Sequence, residues 1–158
     1  MVTRPMPAWL DDERGARLLR WTAASYGLAW ALHNADHLRR GTNVVTTEVL
    51  ALGAVAGVFQ VLAITAVFLK HRWAPLLAVA VGLQAGIGIF AVHLLPRWSS
   101  FSDALPGAHG TGITLFSWIA VVLEMVSSLA FAAAGASVLR RTRTRALSPA
   151  RPPAALVA

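Results

Sequence analysis

The chain contains no cysteine, one lysine, one tyrosine and only seven acidic residues in 158. Without cysteine there are no disulfides, thiolate metal sites or cysteine nucleophiles, so any metal chemistry falls to histidine, carboxylate and amide groups. Charge is also scarce: 13% of residues are charged and 56% are hydrophobic, with a mean hydropathy of +0.60. That balance lies outside the range of ordinary soluble domains and makes lipid the natural solvent. No repeat occurs at a solenoid period, and the glycines of "VGLQAGIGIF" lie inside an apolar run rather than in a phosphate-binding loop. Ser99, Ser100 and Ser102 stand near Asp103 and His109, but without the strand-to-helix elbow that a serine hydrolase needs.

Four apolar segments are present, about 21–38, 48–69, 74–95 and 112–139. Each approaches or exceeds the roughly 20 residues that cross a hydrocarbon core about 30 Å thick. The expected fold is therefore all-α, an antiparallel four-helix transmembrane bundle in one domain. The first apolar run follows a basic region, as in a signal peptide, but Tyr26, His33 and Asp36 interrupt it and no small-residue cleavage site follows, so it reads as a retained span. With four spans the N-terminus, the 70–73 connection and the C-terminus share one side. Eleven of the fourteen basic residues fall there, leaving Arg39, Arg40 and Arg97 opposite. The positive-inside rule then places both termini in the cytoplasm of a multi-pass plasma-membrane protein. Because the charges flank the spans, the net charge of +7 reads as topology and not as a nucleic-acid surface.

Residues 1–20 form a cytoplasmic segment whose acidic start and basic end suit a short interfacial helix. Trp21 and Trp73 are expected at the inner interface and Trp98 at the outer, while Gly41 closes the first span. Pro75 fits the first turn of the third span. Residues 140–158 read as a basic, disordered tail near anionic lipid headgroups. Gly53 and Gly57, and Gly82 and Gly86, have the spacing that lets helices approach closely. Packing within one chain explains them, and a homo-oligomer or a membrane-protein partner is the alternative.

The remaining polar residues sit inside or at the mouth of the spans. Tyr26, Trp30, His33 and His37 are spaced by four, three and four residues, on one helical face. Gln60 shares the small-residue face of the second span, and His93 shares the face of Gly86, with Gln84 pointing nearly the opposite way. Glu124 lies on a polar stripe with Ser117 and Ser128. A carboxylate at helix mid-depth costs on the order of 2.5–3.5 kcal/mol, so it must be paired, neutral or hydrated. Counted from the expected span ends at 1.5 Å per residue, His37 and His93 lie near the surface and His33 about 8 Å down, with Tyr26, Gln60 and Glu124 about 18–20 Å down. Two layers result: an outer one extended by Asp36, Arg39, Asp103 and His109, and an inner one of Tyr26, Gln60 and Glu124.

The i, i+4 pair His33 and His37, joined by His93 from another helix, can bind one metal ion. "HNADH" is not the metalloprotease HExxH pattern, because position 34 is asparagine. A bis-histidine haem is a further possibility, requiring a large void. The segments "HNADHLRRG" and "HLLPRWSSFSD", on this architecture, resemble those of small alanine- and arginine-rich four-span membrane proteins of high-GC bacteria. The resemblance covers the four spans and implies no activity. Three functions remain open: a membrane-embedded ligand, metal or haem protein; a non-catalytic interaction protein whose polar groups serve helix packing; and a proton or small-solute pathway through Tyr26 and Glu124.

Overall fold

The computed structural model describes residues 6–108 and 111–147. Among them it is all-helical, with four long helices: α1 (Glu13–Arg40), α2 (Thr47–Phe68), α3 (Ala74–Ile89) and α4 (Leu115–Leu147). A 3-10 turn, Ala8–Asp11, precedes α1, and α3 runs on into a π-helical turn, Phe90–Leu94. Three of these are long and apolar enough to cross a membrane: Thr47–Phe68, Ala74–Leu94 and Leu115–Leu147. Their outward faces carry large exposed apolar side chains such as Val58, Phe59, Leu83, Ile87 and Leu123. In water such a surface would aggregate; against acyl chains it needs no cover.

Local chemistry sets the boundaries. Gly41 ends α1 at φ 87°, its amide bonded to the His37 carbonyl at 3.0 Å. That backbone conformation costs glycine little. Thr46 caps α2 by accepting from the Val49 amide at 3.3 Å. Lys70 turns the chain between α2 and α3 at φ 54°, and Pro75 lies in the first turn of α3.

The tightest packing joins α3 to α4. A Cβ on Gly82 would lie 2.5 Å from the Ser128 carbonyl, and one on Gly135 would lie 2.5 Å from the Pro75 carbonyl. These contacts run in opposite sequence directions, so the two helices are antiparallel. The same holds for α1 and α4, where Asp12 meets Arg141, Gly15 faces Val138 and Ser117 bonds Asp36. By contrast, α2 stands looser: Gly57 faces the Trp30 ring and Gly53 has nothing within 4 Å of its would-be Cβ. The expected close approach therefore belongs to Gly82 and Gly86, and not to the glycines of α2.

The N-terminal segment packs on the connection between α2 and α3: Trp9 is buried and its Nε1 donates to the His71 carbonyl at 3.2 Å. One boundary expectation shifts: the tail does not begin at 140, since α4 stays helical through Arg145 to Leu147; residues 148–158 lie outside the described residues. Trp21, Trp73 and Trp98 are all exposed.

Candidate metal centre

The buried residues of α1 include Ala16, Leu19, Ala23, Tyr26, Ala29, His33, Asp36 and Arg40. They recur every three or four residues and form one face. Its first part is apolar and packs in the core; its last part is polar and meets three other elements.

His33 is buried, and its Nδ1 donates to Glu124 Oε2 of α4. With Glu124 as the carboxylate acceptor and the ring neutral, the imidazole lone pair is on Nε2. His33 Nε2 is buried with no hydrogen-bond partner among the described residues. His93 is held the same way from another helix. It sits in the π-helical turn, and its Nδ1 donates to the Asp103 carbonyl at 3.0 Å, again leaving Nε2 as the lone pair. A π turn inserts one extra residue and rotates the helix beyond it, a device frequent at functional sites.

His37 differs. Arg40 Nη2 lies 3.2 Å from its Nδ1, with Asp103 Oδ2 at 3.8 Å. Arginine only donates, so the His37 hydrogen then sits on Nε2 and must leave, or shift toward Asp103, before that nitrogen can ligate an ion. The three rings touch: His33 stacks on His37 at 4.7 Å between centroids, and meets His93 edge-on at 4.7 Å. One ligand nitrogen from each lies within 4.8 Å of the others.

Around this triad lies an ion network. Arg40 donates two bonds to the Asp103 carboxylate, and its Nε is 3.1 Å from Asp36 Oδ2. Asp36 also accepts from Ser117 at 3.0 Å and from Arg39 at 2.8 Å, and Arg39 reaches the Gly112 carbonyl. Burial alone would raise the Asp103 carboxyl, but the Arg40 guanidinium holds it below the usual carboxylate range. The loop carrying Asp103 is thereby tied to the end of α1.

The triad lies on the wall of a cavity of about 620 Å³ between α1, α2 and α3. Glu124, Trp30 and Gln60 also line it. Gln84 does too, from an exposed position at the rim, although its helical angle alone turns it away from His93.

The expected division into two layers does not hold. His33 lies seven residues before the end of α1, and Glu124 nine residues after the start of α4. At 1.5 Å per residue these are about 10 and 14 Å deep, close enough for side chains to meet. Span ends at 38 and 112 make His33 too shallow and Glu124 too deep. Tyr26 and Gln60 do not bond to Glu124 either: the Tyr26 hydroxyl and Gln60 Oε1 are buried without partners among the described residues. His109 lies outside the described residues. Arg40, counted from sequence only among the three basic residues of the outer side, joins the site; its i, i+4 spacing from Asp36 was the available signal. Ser102 has a structural task, its Oγ accepting from the Trp98 and Ser99 amides.

No protein-family model, curated protein or solved structure matches this chain.

Proposed function

We propose that the chain is a four-span plasma-membrane protein that binds one divalent transition-metal ion through His33, His37 and His93. The observation that carries this reading is the buried, unpartnered Nε2 of His33 on a ring that, with two more imidazoles, offers one nitrogen each within 4.8 Å of the others. Zinc bound by three imidazoles at about 2.0–2.1 Å holds the nitrogens roughly 3.3 Å apart, so the rings close in from the present spacing, within 4.8 Å, to take the ion. Imidazole sets suit zinc, copper, iron and nickel. The hydrogen bonds at the other ring nitrogens are the outer-shell partners that orient ligating histidines. Glu124 and Asp103 also supply negative charge opposite the ion. Haem is disfavoured, since rings in direct contact leave no room for a macrocycle between them.

The fourth span in this reading is α1. From Trp21 to Ala35 it has no acidic or basic side chain except His33, and it packs antiparallel to α4. Trp9 on His71 and Asp12 on Arg141 gather the N-terminal segment, the α2–α3 connection and the end of α4 at one end. The basic bias supports a cytoplasmic location for that end, and for lipid headgroups as neighbours of Arg140 to Arg145. The triad then lies toward the outer face.

Titration of the purified protein with zinc, and with cobalt(II) for its visible bands, tests the metal reading. One ion per chain is expected, lost in both His33→Ala and His93→Ala. No binding, or binding indifferent to both substitutions, would return the polar groups to helix packing in an interaction protein. Reporter fusions at residue 71 and at residue 100 should report inside and outside; the reverse would invert the site with the topology.

A further inference from the structure

The cavity holds a second unmet group that the metal reading does not use. Gln60 of α2 is 4% exposed and lines the cavity wall, and its Oε1 has no hydrogen-bond partner among the described residues. An amide oxygen only accepts, so what it lacks is a donor. Most of the wall is apolar; no lysine, arginine or aspartate lines it, and its one carboxylate, Glu124, is bonded to His33. Val58, Val61 and Leu62 of α2 line the cavity and are 59%, 44% and 56% exposed. The rim is thus as apolar as the lipid-facing surface it joins. At Gly53, on the same wall, an added Cβ would meet nothing within 4 Å, so room is left where a close-packed bundle would have none. The volume of about 620 Å³ lies within the range of small-molecule sites.

We propose that this cavity binds a neutral, membrane-soluble molecule with an apolar body and a hydroxyl donor, entering from the lipid side past α2 and donating to Gln60 Oε1. Long-chain alcohols and alkylated hydroquinones share that chemistry. Anionic amphiphiles do not fit, since no lysine or arginine lines the wall, and the one carboxylate on it, Glu124, is already bonded to His33. Water would satisfy Gln60 but leave the apolar remainder of the cavity without contacts.

The test uses the full-length protein in nanodiscs with a diazirine-bearing hexadecanol as photoprobe, the labelled residues being located by peptide mass spectrometry. Labelling is expected on cavity-lining residues of α2 and α3. Hexadecanol should compete at least tenfold better than hexadecane, and comparison with decyl-hydroquinone identifies which of the two sources is preferred. Gly53→Phe, which puts a ring into the void and leaves the three histidines in place, should cut labelling at least fivefold while the zinc stoichiometry stays unchanged. Gln60→Leu should abolish the preference for hexadecanol over hexadecane. Equal competition by the two in the wild-type protein overturns the proposal, as does labelling confined to the outer faces or indifferent to Gly53→Phe. Zinc titration of the same preparations separates the two readings: lost metal binding with labelling intact removes only the metal site.

Discussion

His33 on α1 and Glu124 on α4 are hydrogen-bonded inside the bundle, 91 residues apart in the chain. The bond links the two helices and also fixes which nitrogen of His33 is free to ligate. Glu124→Gln keeps an acceptor for Nδ1 but loses the charge, and Glu124→Ala leaves His33 unheld. Zinc affinity, read by competition with a chromophoric chelator, is expected to fall roughly tenfold in the glutamine variant and toward a hundredfold in the alanine variant. The alanine variant should also lose about 1–2 kcal/mol of stability, and the glutamine variant less. Wild-type affinity and melting in both would remove Glu124 from the site.

Arg40 stands between Asp36 and Asp103 with its side chain only 1% exposed. Removing one partner of a buried ion network strands the others, at a cost of roughly 3–5 kcal/mol. Arg40→Ala should therefore lower the melting temperature in detergent sharply. The Arg39 side chain is 40% exposed, and Arg39→Ala should change stability by less than about 1 kcal/mol. Equal effects would mean that the neighbouring arginines are not differentiated by burial.

The fold was legible in the sequence wherever its physics is local. Apolar run length locates α2, α3 and α4, and Gly41, Thr46 and Pro75 mark helix ends by chemistry that acts within a turn. The face shared by Tyr26 and His33 comes from helical spacing alone, though it runs on to Asp36 and Arg40 where the spacing reading had Trp30 and His37. Depth was less legible, because it compounds errors at both ends of two helices; three residues at the start of α4 sufficed to separate Glu124 from His33. The burial of Arg40 depends on a loop residue 63 positions away, and its i, i+4 spacing from Asp36 signals the pair but not the burial. The π-helical turn that aims His93 likewise depends on Leu95 bonding back to Phe90 at 3.2 Å, a register that no side-chain pattern encodes.

The two glycine pairs should respond oppositely to alanine. At Gly82 the new Cβ would stand 2.5 Å from the Ser128 carbonyl and 2.9 Å from the Ala132 amide, both backbone atoms that cannot swing away. Gly82→Ala should force α3 from α4 and cost about 1–3 kcal/mol. Gly53→Ala enters open space and replaces a flexible residue in a helix, so it should be neutral or stabilising by up to about 1 kcal/mol. Thermal unfolding in the same detergent compares them. A destabilised Gly53→Ala would mean that α2 packs more closely than the contacts around Gly53 indicate.

At the opposite end of the bundle, Asp12 accepts from Arg141 at 3.3 Å, with Arg145 at 3.9 Å. Burial pushes its carboxyl up, but the Gly15 amide and the two guanidinium groups outweigh this and hold it below its ordinary value. A carboxyl lowered in the folded state stabilises fully above the unfolded value, about 3.9, and its contribution disappears as pH falls through the lower folded value. Other carboxylates titrate in the same range, so the informative quantity is the difference between the wild-type protein and Asp12→Asn. The melting-temperature gap should be constant from pH 7 to about pH 5 and close as the pH is taken below about 4. Salt at about 0.5 M should narrow it at pH 7, because both arginines are more than half exposed and screening reaches them. A gap that persists unchanged at pH 3 would show that Asp12 acts through its shape in the turn before α1 and not through its charge.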